Sequence, residues 1–265
     1  MSGLVRQVLW NGLTEQLEHI AFWRAPVDND FGNKMPALAG VWRTAHVNRY
    51  VESVTIDEKN KKGLSVKVNW ILSDIRVPYV MEYLIRDNGS VIVTGSIDLT
   101  GTKLPELPRF GMRMELGQPY ENLSYYGRGP LENYIDRHSA SFIGRYDDKV
   151  ENQFYWYIRP QETGNKTDVR WLSLLDNDGQ GVKITGLQPI AFSALHFAPE
   201  DLDPGLTRKL QHTVDIVSRK SIFLHIDLKQ RGLGGDNSWG MYPHNQYRLL
   251  DKKYTYSYMI ELIGR

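Results

Sequence analysis

Apolar and polar side chains alternate along several short runs of this 265-residue chain. Successive side chains of a strand point to opposite faces, so this alternation predicts strands with one face on a core. The clearest runs are Leu64 to Trp70, Phe110 to Leu116, Ile222 to Leu228 and Tyr254 to Leu262. Only Ala37 to Val47 resembles a helix. The sequence therefore predicts an all-β protein.

Turn residues separate these runs. Asp87-Asn88-Gly89 and Asp176-Asn177-Asp178-Gly179 are strong hairpin signals, and Lys62-Gly63 and Thr100-Gly101 are weaker ones. Strands at regular spacing with short turns favour antiparallel sheets packed face to face. No repeat of fixed period and no Gly/Ser-rich or Pro-rich linker divides the chain. One large sandwich is the preferred interpretation.

The composition restricts the classes of partner. Hydrophobic residues make up 41% and charged residues 24%, values that allow a packed core. The formal net charge is +1, which gives no overall basic field for nucleic acid or an anionic membrane. The dense basic run from Lys59 to Lys62 is interpreted as a solvated hairpin tip. We expect neither a nucleic-acid nor a membrane partner, and no signal peptide or membrane span is recognisable.

The chain contains no cysteine. This excludes disulfides, thiolate nucleophiles and cysteine-based zinc or iron–sulfur sites. It is compatible with a reducing cytoplasm, which is slightly favoured over the periplasm, but it does not establish the compartment.

Pairs of acidic residues are candidates for catalysis or metal binding. Glu132 and Asp136 are four residues apart, but the preceding Gly127-Arg128-Gly129-Pro130 is interpreted as a turn, which would not align them. Asp28 and Asp30, or Asp147 and Asp148, offer oxygens for a hard cation, although acidic pairs on loops are usually caps or solvated turns. The sequence leaves cation binding open and identifies no catalytic carboxylate.

Histidines give no stronger signal. The seven histidines lack the spacing of a zinc motif, and His196 and His225 are interpreted as packed residues of strands. No nucleophile elbow, phosphate-binding loop or dinucleotide fingerprint occurs in the sequence.

Trp239 stands in the segment Gly-Gly-Asp-Asn-Ser-Trp-Gly, from Gly234 to Gly240. Adjacent glycines allow positive φ and close backbone approach, and Asp236 and Asn237 favour side-chain to backbone hydrogen bonds. The segment is therefore a loop that presents an indole, whose flat face suits the C–H face of a sugar ring. The alternative is that Trp239 plugs the end of the sandwich.

Two longer segments combine aromatic residues, Arg, Pro and acids: Phe22 to Asp30 and Tyr126 to Arg137. Arg24 and Arg128 can pair bidentately with nearby carboxylates, while Pro and Gly fix the loop shape. These features predict rigid, buried loop anchors.

Those two segments, with Pro160 to Asn165 and Gly234 to Trp239, resemble the C-terminal small-chain domain of family 2 glycoside hydrolases of the bacterial β-galactosidase type. The resemblance runs from about Phe22 to the C-terminus, with residues 1–21 as lead-in strands of the same domain and residues 22–265 as the domain itself. It implies a large antiparallel β supersandwich similar to galactose mutarotase.

The resemblance also implies where the chemistry lies. In that family the catalytic glutamates, magnesium and sodium belong to a central (β/α)₈ barrel, so no catalytic or metal residue is expected here. The implied partners are the rest of the β-galactosidase chain, in a homo-oligomeric parent, and a β-galactoside substrate. Trp239 matches the family's stacking platform, but the sequence departs from the family just after it, at Gly240 to His244.

Two other functions stay open. An aldose 1-epimerase-like enzyme would need a general base and a general acid converging on the sugar, for which Glu162 with His196 or His225 are the candidates. A free-standing carbohydrate-binding module would use exposed aromatic side chains without an enzyme body.

Overall fold

The alternating runs form strands in a computed structural model that describes residues 19–58, 60–207, 211–237 and 239–264. All four predicted runs lie within observed strands, at β3, β6, β11 and β12. The strands in the described residues are β1 His19–Ala21, β2 Arg49–Asp57, β3 Leu64–Leu72, β4 Val77–Ile85, β5 Val91–Asp98, β6 Arg109–Leu116, β7 Asn122–Gly129, β8 Phe142–Lys149, β9 Lys166–Leu175, β10 Gly181–Leu195, β11 Ile222–Gln230 and β12 Lys253–Ile263.

Helices are short and differ from the expectation. The predicted helix from Ala37 to Val47 is wrong: a helix over Met35–Leu38 ends before Gly40, and a 3₁₀ turn follows. The acidic segment at Asp28 is helical and not a loop, because Asp30 accepts a hydrogen bond from the backbone N–H of Val27 at 3.0 Å. The helices are α1 Asp28–Gly32, α2 Met35–Leu38 and α3 Pro199–Leu202, with 3₁₀ turns at Gly40–Arg43, Val150–Gln153, Thr213–Asp215 and Asn245–Tyr247.

Every strand pair in the described chain is antiparallel, which confirms the predicted sheet type. The main path runs β1-β6-β11-β10-β12-β5-β4-β3-β2. The long strand β10 also pairs with β9, which continues through β7 to β8. The layers are therefore parts of one continuous network that branches at β10.

The layers face each other across an aromatic core. Phe110 on β6 packs against Tyr79 on β4 and against Tyr254 and Tyr256 on β12, with ring centroids 5.2–6.3 Å apart. β6 pairs with neither β4 nor β12, so these contacts cross the interior. The hydroxyl of Tyr256 donates to the carbonyl oxygen of Ile226 at 2.8 Å, which satisfies a polar group inside this core.

Three of the predicted turns connect paired strands. Asp87 to Gly89 joins β4 to β5, Asp176 to Gly179 joins β9 to β10, and Lys62-Gly63 lies between β2 and β3. Thr100-Gly101 is a turn but not a hairpin, because the next strand, β6, pairs with β1 and β11 instead of β5. Lys59, part of the predicted basic tip, lies outside the described residues.

Of the predicted lead-in segment 1–21, the described part is β1, which pairs with β6 in the same sheet. Residues 1–18 lie outside the described chain. Within the described ranges, no helix has the length and apolarity needed to cross a membrane.

Candidate functional site

Trp239 lies in the connection between β11 and β12, and 92% of its surface is exposed. It is the most exposed of the six tryptophans in the described residues; Trp10 lies outside them. The interpretation of Trp239 as a buried plug is therefore wrong. The loop exposes the indole ring to solvent.

The predicted side-chain to backbone hydrogen bond is made by Asn237, whereas Asp236 contacts a side chain instead. The side-chain oxygen of Asn237 accepts from the backbone N–H of Trp239 at 2.9 Å, and Asp236 contacts His244 Nε2 at 2.7 Å. Gly240 adopts φ +120°, but neither Gly234 nor Gly235 has positive φ. Space is the reason for glycine at position 235: a Cβ there would lie 2.7 Å from the carbonyl oxygens of Met241 and Tyr242.

The base of the loop is tied to distant segments. The Asp136 carboxylate accepts from the backbone N–H of Gly234 at 2.9 Å, and the Asn29 amide donates to the carbonyl oxygen of Leu233 at 3.2 Å. A Cβ at Gly232 would lie 2.7 Å from the same Asp136 carboxylate, so the chain passes very close to this anchor. Segments from three parts of the sequence thus meet below Trp239.

A chain of charges, buried except at its Arg248 end, lies beneath this base; we call Arg24, Asp30, Arg231, Glu106 and Arg248 the anchor network. Asp30 bridges the guanidinium groups of Arg24 and Arg231 at 3.0 and 2.6 Å, with all three side chains fully buried. Glu106 then links Arg231 to Arg248 at 3.2 and 2.8 Å. Removing one partner from such a buried network leaves an uncompensated charge, so the network resists local change.

Two further contacts connect the anchor network to the loop. Arg24 donates to the carbonyl oxygens of Arg231 and Gly232 at 2.6 and 3.1 Å. The ring of Tyr242 lies 5.5 Å from the guanidinium carbon of Arg231 and 4.7 Å from that of Arg248. Arg24 is therefore a buried loop anchor, as the sequence predicted.

Arg128 differs from this expectation. Gly127 to Gly129 end strand β7 instead of forming a turn, because they pair with Phe142 to Gly144 of β8. Arg128 is partly exposed; it pairs with Asp168 and donates to the carbonyl oxygen of Ser141 at 2.9 Å. It is a structural contact at the protein surface, not a buried anchor.

Glu132 and Asp136 serve separate anchors. The Glu132 carboxylate accepts hydrogen bonds from four groups: the Tyr157 hydroxyl, the Arg137 guanidinium, the Thr163 hydroxyl at 3.0 Å and the backbone N–H of Gly164 at 2.7 Å. Asp136 holds the Trp239 loop. Each carboxylate is thus bound to protein groups of its own.

A second buried cluster surrounds Arg109 and was not predicted. Its guanidinium contacts Glu162 at 2.9 Å, Nδ1 of His225 at 3.1 Å and Asp227 at 3.1 Å. The contact between Arg109 and Asp227 is close but does not have hydrogen-bond geometry. Both oxygens of the Asp227 carboxylate lack a hydrogen-bond partner among the described residues. The sequence feature that could have predicted this cluster is that His225 and Asp227 share one face of β11.

Burial controls the protonation of this cluster. Desolvation, aided by the nearby Glu162 and opposed by Arg109, raises the pKa of Asp227 to about 7. Desolvation and the neighbouring guanidinium groups lower the pKa of His225 well below its usual value. Since Arg109 donates to Nδ1, the neutral His225 carries its proton on Nε2.

The structure brings together only two of the three candidate residues for an epimerase. Glu162 and His225 meet on Arg109, whereas His196, just after β10, contacts Glu121 at 3.1 Å. His225 lines a cleft of about 370 Å³ beside β1, and His196 lines a different cleft of about 630 Å³. Glu162 lines neither cleft.

Three of the four candidate cation ligands are paired with protein groups, and the fourth, Asp28, lines a small cleft with Arg159. Asp30 belongs to the anchor network, and Asp148 accepts from the side-chain amides of Asn152 and Gln153 at 2.8 and 2.7 Å. Asp147 accepts from Ser124 and Arg145. The part of the chain that the structure describes contains no group of three or more His, Asp or Glu side chains suited to a metal ion.

Comparison with known families identifies the family to which this chain belongs. The model of the family described as Beta galactosidase small chain matches residues 2–260, nearly the whole sequence. The chain belongs to the β-galactosidase small-chain family. The resemblance that the sequence motifs predicted is thereby confirmed.

Relatives of this family member include longer proteins named β-galactosidase. That of Priestia megaterium is 32% identical over 241 residues, which are 91% of this chain and 23% of the relative. That of Streptococcus thermophilus is 31% identical over 261 residues, 95% of this chain and 24% of the relative. This small-chain sequence therefore spans about a quarter of the length of the curated relatives it matches.

Solved structures show a distant likeness of fold. A galactose mutarotase related enzyme from Lactobacillus acidophilus aligns with 83% of the small-chain sequence and 72% of its own, at 8% identity and a TM-score of 0.42. An aldose epimerase homologue from C. elegans gives 9% identity and a TM-score of 0.38.

Proposed function

We propose that this chain is the non-catalytic small-chain part of a family 2, retaining β-galactosidase and supplies Trp239 as an aromatic platform for the β-galactoside substrate. The observation that carries the proposal is an indole that is 92% exposed yet held on a loop with a buried, charged base. Exposed aromatic side chains on rigid loops are suited to recognition.

The rigidity of the loop supports a binding role. A stacking contact contributes only about 0.5–1.5 kcal/mol, so it would be offset if the loop had to be ordered on binding. Asp136, Asn29 and the anchor network fix the base before any ligand arrives. The indole is thus positioned in advance.

The carboxylates of this chain support a non-catalytic role. Retaining glycosidases need two free carboxyl groups about 5–5.5 Å apart on either side of the scissile bond. Glu132, Glu162 and Asp30 are instead bound by protein donors in the interior. We place the catalytic pair, with magnesium and sodium, in the barrel of the parent enzyme, and we expect that parent to be homo-oligomeric.

An assay of the chain by itself tests this division of roles. We expect the purified 265-residue chain to release no chromophore from a chromogenic β-galactoside above the buffer rate. The assembled enzyme measured alongside should be active. Turnover by the purified chain that persists after repeated chromatography would contradict the proposal.

The contact of Glu162 and His225 with one guanidinium favours a second candidate, an aldose 1-epimerase-like activity. Its weakness is that Glu162 lines neither of the two clefts that contain the histidines. Polarimetry decides between the β-galactosidase role and the epimerase activity. We expect galactose to mutarotate at the buffer rate in the presence of the purified chain. An acceleration lost in both Glu162→Gln and His225→Ala would favour the epimerase.

A carbohydrate-binding module is tested by calorimetry. One aromatic contact falls far short of the roughly 4.1 kcal/mol that corresponds to a millimolar dissociation constant. We therefore expect free galactose to bind the isolated chain more weakly than millimolar. Micromolar binding would favour a dedicated module.

A further inference from the structure

Five large apolar side chains form an exposed surface that the platform role does not use. Tyr155, Trp156 and Ile158 lie on the segment after the 3₁₀ turn Val150–Gln153, and Val214 and Val217 lie on the 213–217 segment. Their exposed fractions are between 59% and 84%. We call these five residues the apolar surface.

A hydrogen bond places the two segments next to each other. The Thr213 hydroxyl donates to the carbonyl oxygen of Tyr157 at 2.8 Å, which holds the segments side by side. Beneath them, Ile216 packs on the small core cluster that includes Phe154 and Phe197. Trp156 meets the ring of Phe154 edge to face at 4.8 Å, so the exposed residues rest on a packed base.

The apolar surface and the Trp239 loop both lie next to helix α1. Asp28 and Phe31 of α1 share a small cleft with Arg159 and Pro160, which directly follow Ile158. At the Trp239 loop, the Asn29 amide of α1 donates to the carbonyl oxygen of Leu233, and a Cβ at Gly240 would lie 3.0 Å from the carbonyl oxygen of Gly32. One rigid element therefore connects both features, and a partner that covers one lies next to the other.

Five exposed apolar side chains on two adjacent segments need an explanation. Soluble monomers rarely expose large contiguous apolar patches unless those patches bind something. The small-chain sequence spans 23–24% of the length of its β-galactosidase relatives, so most of such an enzyme lies outside this chain.

We propose that the apolar surface is the docking site for the remaining part of the β-galactosidase polypeptide and sets the position of Trp239 against it. The inference rests on the proposed function. The five side chains carry no charge, so the facing surface must be rich in apolar side chains, whose burial drives association. Docking next to α1 then carries Trp239 into the complex together with the helix.

The test mixes this chain with the remaining β-galactosidase polypeptide, supplied separately, and measures the dissociation constant by analytical ultracentrifugation. Ile158→Asp and Val217→Asp should each raise the dissociation constant at least tenfold. Val51→Asp is the matched control, because Val51 is also an exposed valine but lies on the edge strand β2. It should change the constant less than twofold.

Hydrogen exchange provides a second readout without substitution. Amides at 154–158 and 213–217 should become protected on assembly, whereas those of β2 should not. Equal loss of binding in the control, unchanged binding in both Asp variants, or absence of protection would each overturn the proposal. Self-association of this chain alone that Val217→Asp abolishes would also overturn it, by assigning the surface to a second copy.

The same mixture separates this inference from the platform role. Trp239→Ala should leave the dissociation constant within twofold of the unchanged chain, because Trp239 is not part of the apolar surface. Weaker substrate binding with normal assembly in Trp239→Ala tests only the platform role. Weaker assembly in the Asp variants tests only the docking site.

Discussion

The carboxylate of Asp136 accepts a hydrogen bond at 2.9 Å from the backbone N–H of Gly234, a residue 98 positions later. This contact joins the segment after β7 to the base of the Trp239 loop. It places a charged acceptor where the chain leaves the sheet, and charge-assisted hydrogen bonds are stronger than neutral ones. The orientation of the exposed indole therefore depends on a residue far from it in sequence.

Asp136→Ala should release the base of the loop. Loss of a hydrogen bond to a charged group costs about 1.5–3 kcal/mol, and the Gly234 amide should exchange faster with solvent. Asp136→Asn keeps an acceptor oxygen and should recover part of the stability. Urea unfolding and amide exchange measure both effects, and equal exchange of Gly234 in all three proteins would contradict the assignment.

Asp30→Ala should be far more damaging, because it leaves the buried guanidinium of Arg24 without a carboxylate partner and that of Arg231 with Glu106 alone. The expected loss is about 3–5 kcal/mol of unfolding free energy. The control is Glu82→Gln, which removes the exposed pair with Lys67 and should cost at most about 1 kcal/mol. Similar melting temperatures for the two variants would show that the anchor network is not structural.

Gly235→Ala should distort the loop through a clash instead of a lost bond. The new methyl group would meet the carbonyl oxygens of Met241 and Tyr242 at 2.7 Å, so the backbone must move. Gly117→Ala is the matched control, because a Cβ there meets nothing within 4 Å. Tryptophan fluorescence anisotropy is measured in a background where Trp156, the other exposed tryptophan among the described residues, is replaced by Phe. It should fall only for Gly235→Ala, and the fall should disappear when Trp239 is also replaced by Phe.

Asp227 should give the stability a pH dependence of unusual sign. Its pKa is about 7 in the folded protein against 3.8 when unperturbed, so the folded state holds the proton more tightly. The stabilisation is complete below about pH 4 and is lost as the pH rises through about 7. Relative to the unchanged protein, Asp227→Asn should therefore become more stable as the pH rises.

Urea unfolding at about pH 4.5, 6 and 8 measures this difference. Asp98→Asn is the control, because hydrogen bonds from Thr100 and Lys253 lower the pKa of Asp98 to about 2, below this range. Its difference from the unchanged protein should stay constant. A constant difference for Asp227→Asn as well would mean that Asp227 is ionised throughout.

Strands were predictable because their signal is local. Each alternating run, such as Tyr254 to Leu262, encodes its own inward and outward faces, and hairpin turns such as Asp87 to Gly89 mark their ends. The helix near Ala37 was wrong because Gly40 interrupts a weak pattern. Asp30 was assigned to a loop because its capping bond to Val27 is not visible as periodicity.

The exposure of Trp239 was predictable from turn chemistry, but its support was not. The Asn237 side chain accepts a hydrogen bond from the backbone N–H two residues later, and such a local contact can be predicted from the sequence. Asp136, Arg231 and Glu106 reach the loop or its base only through the fold, across separations that no local pattern records. The cluster around Arg109 is likewise a product of the pairing of β6 with β11.

The most direct test of the account is the steady-state kinetics of the assembled β-galactosidase carrying Trp239→Ala or Trp239→Phe. Loss of a stacking contact of about 0.5–1.5 kcal/mol should raise KM about two- to twelvefold for Trp239→Ala, with a smaller change in kcat. Trp239→Phe should recover part of the loss, because a smaller aromatic face remains. Assembly and melting temperature should be unchanged in both. An unchanged KM in Trp239→Ala, with normal assembly, would contradict the claim that this chain supplies the substrate platform.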